Sequence, residues 1–254
     1  MAKKRALITG TSMGLGRAFA EKLVQDGWQL VTVDRHAHTG REFSATNGVH
    51  FQCDLSEPAE VEKLLTRLAR KETFDLVILN AGANATGRFE VIDADAIPRL
   101  VHLNAFAPMA LAAGLARAGK LNAGSNLVFV SSLSHFTAYP GASVYAATKD
   151  VIAIYAKSIR KPFARQGISV SCAFPGPLRT AHAERHAPKG AKAEKRMLPQ
   201  EAAQKILAGA LSGKPTIIPG FGPVFFSFAG RGFPGLAARA MRRLIYDRLD
   251  REVW

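Results

Sequence analysis

The sequence predicts an α/β fold with one doubly wound parallel sheet of about seven strands and helices on both faces. Short runs rich in β-branched residues alternate with longer segments of helical periodicity along the 254 residues. Two of the short runs, LVIL at 76–79 and LVFV at 127–130, are continuously apolar, as central strands of a parallel sheet are because helices cover both faces. The length and pattern are typical of one domain, so we predict a single domain over residues 1–254.

The predicted strands share a β-branched or apolar character and lie at 5–9, 29–34, 49–54, 75–80, 126–131, 168–174 and 216–219. The helical segments between them are predicted at 15–26, 57–71, 93–117, 143–166 and 199–212. This alternation is that of βαβ units, which place helices on both sides of one sheet.

The formal net charge is +14, and the excess is greatest in 179–254, where 14 Lys and Arg stand against 6 Asp and Glu. Such a balance can indicate a nucleic-acid partner. The basic residues are interspersed with Ala and Pro, however, and no helix-turn-helix or aromatic-interleaved pattern accompanies them. We therefore expect a solvated basic surface and no nucleic-acid partner, with an acidic substrate or an anionic surface as the alternatives.

The two cysteines, Cys53 and Cys172, each lie in an apolar strand, which argues against a disulfide framework or a zinc site. The seven histidines show no paired ligand spacing, so we predict no metal. The chain enters a strand by about residue 4, which leaves no room for a signal peptide. No apolar run approaches the roughly 20 residues that span a bilayer. The sequence therefore predicts a cytoplasmic protein with at most a peripheral membrane contact.

A glycine-rich turn directly after the first strand is the first candidate binding site. Gly10, Gly14 and Gly16 stand between that strand and the first helix, where glycine allows a tight turn and close approach of the backbone to a pyrophosphate. The N-terminus of the helix offers free N–H groups and positive potential to the same phosphates. The spacing indicates a Rossmann-type dinucleotide site.

Further motifs follow at fixed positions along the chain. They are T-G-x-x-x-G-x-G from Thr9 to Gly16, N-A-G at 80–82, Asn104, Ser132 thirteen residues before Tyr145, Lys149 four residues after it, and Pro175-Gly176 followed by Thr180. Together they resemble the short-chain dehydrogenase/reductase family from about residue 5 to about residue 220. The resemblance implies a nicotinamide-dependent oxidoreductase that transfers hydride to or from a carbonyl or alcohol carbon.

The resemblance also implies which residues contact the cofactor. They are Gly10, Ser12, Met13, Gly14, Leu15, Gly16, Asp34, Arg35, Asp54, Leu55, Asn80, Ala81, Gly82, Tyr145, Lys149, Pro175, Gly176, Leu178 and Thr180. Asp34 ends the second strand, where a carboxylate accepts hydrogen bonds from an adenosine ribose and repels a 2′-phosphate. We therefore expect NAD, and NADP less so, although Arg35 is adjacent and can reach a phosphate.

Asn104, Ser132, Tyr145 and Lys149 are the predicted catalytic residues. Tyr145 and Lys149 lie four apart and share one face of a helix. Because tyrosine has a pKa of about 10, we expect the lysine ammonium and the positive oxidised nicotinamide to lower the pKa of Tyr145. Ser132 is expected to polarise the carbonyl oxygen. The resemblance implies that Asn104 supports a water-linked proton route to Lys149.

Two other functions fit parts of the pattern. A non-catalytic nicotinamide-binding sensor or scaffold needs the glycine loop, but such relatives usually lack the Tyr or the Lys. A reductase of carbon–carbon double bonds places six residues between the Tyr and the Lys, whereas three separate Tyr145 and Lys149. We therefore expect a dehydrogenase or reductase of small alcohols or ketones.

Substrate recognition is predicted from position in the chain. His135 and Tyr139 lie between Ser132 and Tyr145, where the family has its substrate pocket. Residues 181–198 take the position of the family's mobile substrate lid, and because they hold few apolar anchors we expect them to be poorly ordered without substrate. Their basic residues favour anionic or polar acceptors and include Arg185, Lys189, Lys192 and Lys195.

Residues 221–254 form a C-terminal extension with an aromatic patch and a basic helix that carries Leu236, Ala240, Leu244 and Ile245. A peripheral membrane helix is one interpretation. Packing against the core or a second subunit is the preferred one, because members of the family usually assemble as dimers or tetramers. We therefore expect a homodimer or a homotetramer.

Overall fold

The predicted sheet is present in a computed structural model of the chain, which describes residues 3–37, 48–187, 193–220, 232 and 234–249. Within those ranges the strands are β1 (Arg5–Thr9), β2 (Gln29–Asp34), β3 (Val49–Gln52), β4 (Phe74–Leu79), β5 (Leu121–Val130), β6 (Ser169–Ala173) and β7 (Thr216–Ile217). All neighbours pair in parallel, in the order β3-β2-β1-β4-β5-β6-β7. The predicted seven-stranded doubly wound fold is confirmed.

Helices cover both faces of the sheet. They are α1 (Gly14–Gln25), α2 (Pro58–Ala69), α3 (Ala96–Val101), α4 (Ala107–Arg117), α5 (Ser134–Thr137), α6 (Ser143–Ala164), α7 (Ala181–Arg185), α8 (Pro199–Leu211) and α9 (Pro234–Leu244). Leu7 of β1 packs in one core layer with α2, α4 and α6, whereas Ala6 and Ile8 pack in a second layer with α1 and α8. Successive strand side chains point to opposite faces, so each face has its own core.

The strand order reverses between β1 and β4. β2 and β3 lie on one side of β1, and β4 to β7 continue on the other side. At such a switch point the loops that leave the two strands diverge and open a crevice at their carboxyl ends. Gly10 and Asn80, which follow β1 and β4, meet there: the Asn80 side-chain amide donates to the Gly10 carbonyl at 3.2 Å.

Element boundaries differ from the predicted ones where tertiary contacts decide them. β5 begins at Leu121 because a register shift between Phe74 and Leu76 lets Leu121 pair with Phe74. The predicted helix at 93–117 is α3 and α4 joined by a π-helical turn at His102–Phe106. Helices α5 and α7 were not predicted, because four or five residues are too few to show a helical period.

Residues 96–117 correct one expectation, because they are long and apolar enough to cross a membrane by length and composition alone. In this structure they belong to the core. Ala107, Leu111 and Leu115 are buried in the same layer as Leu7 and Phe129. Packing on the sheet therefore accounts for the apolar character of this stretch.

The predicted lid contains short helical turns at Ala181–Arg185 and Ala193–Lys195 where the structure describes it. The Thr180 hydroxyl caps α7 by accepting a hydrogen bond from the Ala183 N–H at 3.0 Å. Poor order of 181–198 without substrate stays a prediction. Lys189 and Lys192, and the aromatic patch at 221–231, lie outside the described residues.

The basic helix of the C-terminal extension forms as α9. Just after it, Ile245 and Leu249 lie against Gly141: a Cβ placed on that glycine would be 3.0 Å from Ile245 Cγ2 and 3.2 Å from a Leu249 methyl. The Tyr246 hydroxyl also donates to Glu90 at 3.4 Å. This end of the extension therefore contacts the main body of the chain.

Candidate active site

One cavity at the carboxyl ends of the central strands collects nearly all of the predicted site residues. Its volume is about 1170 Å³. Every residue predicted to contact the cofactor lines it, as do Ser132 and Tyr139. Asn104 and His135 are not among its lining residues.

The glycine loop is packed so closely that larger residues cannot replace two of its glycines. Gly10 has a φ of +75°, and a Cβ there would lie 2.8 Å from Ala81 Cα. A Cβ on Gly16 would lie 1.8 Å from the Gly10 carbonyl oxygen. These contacts are with backbone atoms, so a side chain at either position would displace the loop.

A set of hydrogen bonds joins the end of β1 and the glycine loop to the neighbouring strands β4 and β2. The Thr9 hydroxyl accepts the N–H groups of Asn80 and Ala81, each at 3.0 Å. The Asn80 side chain returns a bond to the Thr9 carbonyl at 3.0 Å, and the Gly10 N–H donates to Val33 O at 2.8 Å. Thr9 and Asn80 therefore brace the ends of β1 and β4.

The geometry fits the phosphates of a dinucleotide. Helix α1 begins after Met13, whose side chain makes no capping bond, so the first N–H groups of the helix are free for an anion. The Thr11 hydroxyl is buried and has no hydrogen-bond partner among the residues that the structure describes. Ser12 to Gly16 are the residues that would hold the pyrophosphate.

Asp34 has a structural task that the sequence did not reveal. It is 7% exposed, and one carboxylate oxygen accepts the Ser12 N–H at 2.9 Å while the other accepts the His36 N–H at 3.0 Å. The carboxylate thereby ties the glycine loop to the end of β2. It still lines the cavity beside Arg35, so its predicted contact with a ribose is sterically available.

Asp54 stands at the same end of the cavity. Its carboxylate accepts the Ser56 N–H at 2.9 Å and the Ser56 hydroxyl at 2.7 Å. Burial alone would raise the pKa of Asp54, but the two Ser56 bonds, helped by the charges of Arg99 and Arg35, hold it below its ordinary value. Asp54 is therefore ionised at neutral pH.

Tyr145 and Ser132 both line the cavity. Burial raises the pKa of the Tyr145 phenol, the Ser132 hydroxyl lowers it, and nearby Tyr139 raises it further; the net shift is upward. Desolvation of the phenolate dominates in the protein without cofactor, and the lowering of this pKa by Lys149 together with the oxidised nicotinamide stays a prediction.

Lys149 is 4% exposed, and its ammonium donates to the Val130 carbonyl at 3.0 Å. The Nζ atom lies 5.7 Å from the centroid of the Tyr145 ring. Burial lowers the pKa of Lys149 to about 8. A Cβ on Gly82 would lie 3.0 Å from this Nζ atom, so the glycine of the N-A-G motif leaves room for the lysine.

Asn104 lies in the π-helical turn and is almost fully buried. Its carbonyl oxygen accepts the Ala83 N–H at 2.9 Å, and its amide donates to Ala83 O at 2.8 Å and to the Thr148 hydroxyl at 3.1 Å. Asn104 therefore joins the loop after β4 to helix α6. Its part in a water-linked proton route stays a prediction.

The two predicted substrate residues have different surroundings. Tyr139 lines the cavity, and burial raises the pKa of its phenol, an effect that the Arg196 charge opposes. His135 lies outside the lining, because its Nδ1 is 2.9 Å from Asp150 and its ring stacks on Phe174 at 5.1 Å between centroids. A substrate contact by His135 stays a prediction, which this placement does not favour.

Two histidines of the lid enter the cavity wall, although sequence reasoning gave them no role. His186 Nδ1 is 3.0 Å from the Thr86 hydroxyl, and the pair is buried. Burial lowers the pKa of His186 to about 4 and also lowers that of His182, so both are neutral at pH 7. No signal in the sequence links Thr86 to a residue one hundred positions later.

Known proteins that resemble this chain share its fold over most of its length. The model of the short chain dehydrogenase family matches residues 4–190. Protein FixR of Bradyrhizobium diazoefficiens is 31% identical over 189 residues, which are 70% of this chain and 68% of that protein.

Two solved structures extend the likeness to the lid and beyond. The bulky-bulky ketone specific alcohol dehydrogenase of Comamonas testosteroni is 26% identical, with a TM-score of 0.76 over 93% of this chain and 94% of its own. A short-chain dehydrogenase of Sphingobium yanoikuyae, solved with NADPH, is 26% identical, with a TM-score of 0.74 over 92% and 94% of the two chains.

Proposed function

Because this chain belongs to the short-chain dehydrogenase family of NAD(P)-dependent oxidoreductases, we propose that it interconverts a secondary alcohol and a ketone and prefers NAD. One observation carries the proposal: Ser132, Tyr145 and Lys149 line the same cavity as the glycine loop. The ketone specificity in the name of the Comamonas testosteroni relative supports this choice of substrate class.

When bound, the nicotinamide supplies or accepts the hydride. Tyr145 moves the accompanying proton: its phenol donates to the carbonyl oxygen in reduction, and its phenolate accepts a proton in oxidation. Because its raised pKa keeps the phenol protonated, the resting protein is set for proton donation. Ser132, which lines the same cavity, polarises the substrate oxygen, and Lys149, mostly charged below pH 8, stabilises the phenolate.

The test is reduction of a panel of ketones, followed by the loss of cofactor fluorescence. Tyr145→Phe removes the transferable proton and should lower kcat by about 10²–10⁴ while cofactor affinity stays unchanged. Tyr155→Phe is the matched control and should have no effect, because among the described residues the Tyr155 hydroxyl bonds to the Met109 carbonyl alone, at 3.5 Å. A Tyr145→Phe rate within about a tenth of wild type would contradict the assignment.

A non-catalytic sensor or scaffold is the weaker interpretation. Such a protein does not need a buried lysine, 4% exposed, in the same cavity lining as Tyr145 and Ser132. The match to a family of dehydrogenases argues in the same direction.

The NAD preference rests on Asp34. The ionised carboxylate at the end of β2 would repel a 2′-phosphate, and it is held in place by two backbone N–H groups. We expect kcat/KM to favour NAD over NADP by at least about tenfold, or roughly 1.4 kcal/mol. Asp34→Asn should reduce this ratio, because it keeps an acceptor for a backbone bond and removes the charge. Equal use of both cofactors by the unmodified protein would show that Arg35 dominates.

The proposed assembly is a homodimer or homotetramer formed through the outer face of α6 and the adjacent π-helical turn. Three large apolar side chains are exposed there: Phe106 at 46%, Val151 at 43% and Ile154 at 56%. Burying apolar surface of this kind is a usual reason for association. Light scattering should give twice or four times the 27.3 kDa chain mass, and Ile154→Glu should reduce it; a monomer would refute this proposal.

The proposed location is the cytoplasm. Cys53 and Cys172 are both unpaired and buried, which suits a reducing compartment. Cell fractionation with an antibody to the chain would test this, and recovery in the membrane fraction would refute it.

A further inference from the structure

A half-buried arginine lines the substrate side of the cavity. Arg196 lines the cavity together with Tyr139 and Met197. Its Nη1 atom is buried and makes no hydrogen bond to any residue that the structure describes. A guanidinium is charged at every physiological pH and has only donors to offer, so a buried N–H without an acceptor is costly unless a ligand provides one.

Hydrogen bonds and a β-bridge join the backbone around Arg196 to Leu178 and Arg179, in the segment that follows β6. The Arg179 N–H donates to Met197 O at 2.9 Å, and the Arg179 guanidinium donates to Ala193 O at 3.3 Å and to Glu194 O at 2.5 Å. Leu178 pairs with Met197 as an isolated bridge. Arg196 therefore starts from a held position, which reduces the entropy lost when it binds a ligand.

The carboxylates that line the cavity bond to groups other than Arg196. Asp34 accepts backbone N–H groups and Asp54 accepts bonds from Ser56, both at the adenosine end, and Glu201 pairs with Lys205. The other cations of the described lining near this end are Lys149 and Lys195. The substrate side thus has an excess of positive charge, and none of these carboxylates pairs with Arg196.

Arg196 lies in the same cavity as the catalytic tyrosine, and Ser132, Tyr139 and Tyr145 line that cavity as well. The Arg196 charge lowers the pKa of Tyr139, and Tyr139 in turn raises that of Tyr145, which agrees with their places in one cavity. A small molecule that places its carbonyl oxygen at Ser132 and Tyr145 therefore shares the cavity with Arg196.

We propose that Arg196 binds an anionic group of the substrate, so that the preferred substrates are ketones that carry a carboxylate or a phosphonate. This inference rests on the proposed function, since it names the substrate class for the same site. A planar guanidinium pairs with such groups through two parallel hydrogen bonds, which fixes the distance between the anion and the reacting carbonyl. The cofactor phosphates are the competing anions, but the free N–H groups of α1 already provide for them.

The experiment compares methyl ketones that carry a terminal carboxylate, in a series of increasing chain length, with their neutral amides and with the matching phosphonates. We expect kcat/KM for one chain length to favour the anion over the amide by at least about tenfold. Arg196→Met should abolish this preference while rates for the amide stay within about twofold. Arg165→Met removes an equal charge from an exposed position at the end of α6 and should retain the preference.

Three outcomes would overturn the inference. Equal rates for the anion and its amide in the unmodified protein would do so, as would a preference that survives in Arg196→Met. Weaker cofactor binding by Arg196→Met, with anion and amide slowed alike, would assign Arg196 to the cofactor. In each case turnover of the amide would leave the proposed function standing.

Absence of turnover for every ketone would refute the proposed function but still leave Arg196 testable. Ligand-observed NMR would then measure binding of the same carboxylates to the protein. Binding that is lost in Arg196→Met and kept in Arg165→Met would support the anion site, and equal binding by all three proteins would overturn it.

Discussion

The cavity has two halves that are built in different ways. The cofactor half runs from the glycine loop to Asp54 and is held by bonds between strand ends, such as Gly10 N–H to Val33 O at 2.8 Å. The substrate half comprises Tyr139, residues 182–183, 186–187 and 195–197 of the lid, and Met241 and Ile245 of the C-terminal extension. It is joined by contacts between side chains distant in sequence, such as Thr86 with His186. Contacts between backbone atoms follow from a sequence motif, whereas contacts between distant side chains depend on the particular residues of this chain.

The largest expected effect is in the cofactor half. Gly16→Ala would put a Cβ 1.8 Å from the Gly10 carbonyl oxygen, and because both partners are backbone the loop must move. We expect the Kd for NAD to rise by about a thousandfold, or roughly 4 kcal/mol. Isothermal titration would measure this change.

Gly114→Ala is the matched control for that prediction. Its Cβ would lie 2.4 Å from a Leu65 methyl, which is the end of a flexible side chain far from the loop. The variant should be less stable by about 1–3 kcal/mol with unchanged NAD affinity. If both variants bind NAD equally well, the cofactor half is less rigid than its packing indicates.

The cofactor half could be predicted residue by residue, and the substrate half could not. Gly10, Asn80 and Gly82 stand where their motifs put them because turns and strand ends follow local rules. Asp34 was placed correctly, but its bond to the Ser12 N–H depends on how two loops meet and has no sequence signature. His135 was expected in the substrate pocket and is held by Asp150 instead. Arg196 went unnoticed, because one basic residue among many carries no local signal.

The second prediction concerns Lys149, at the boundary between the halves. Its pKa is about 8 in the folded protein against 10.5 as the ordinary value, so the unfolded chain binds more protons between these pH values. Stability should therefore rise with pH across that window, by about 3 kcal/mol in total. Below pH 8 Lys149 is protonated in both the folded and the unfolded state, so its effect on the free energy of unfolding does not change with pH.

Lys149→Met isolates this contribution, since the variant retains Tyr145 and every other titrating group. Urea unfolding of both proteins from pH 7 to pH 10.5 should show wild type gaining on the variant by about 3 kcal/mol. A difference that does not change with pH would mean that Lys149 has an ordinary pKa in the folded protein.

The smallest expected effect is in the substrate half. Thr86→Val keeps the shape of the side chain and leaves His186 Nδ1 buried without its partner at 3.0 Å. The cost is about 1 kcal/mol, which should accelerate hydrogen exchange of the 181–187 amides by about fivefold. NAD affinity should be unchanged. Unaltered exchange would show that Thr86 does not hold the lid.

The π-helical turn at His102–Phe106 sets the rotational phase of the helix that follows it. A π turn holds about one residue more than an α turn, so the same residues wound as a regular α-helix would rotate everything beyond them by about 100°. Asn104 faces Ala83 and Thr148 on one side of the turn, while Leu111 and Leu115 fill the core on the other. A regular helix could keep either the Asn104 hydrogen bonds or the core packing of Leu111 and Leu115, but not both. The extra residue therefore lets a single helix satisfy two sets of contacts, those of Asn104 with Ala83 and Thr148 and those of Leu111 and Leu115 with the sheet.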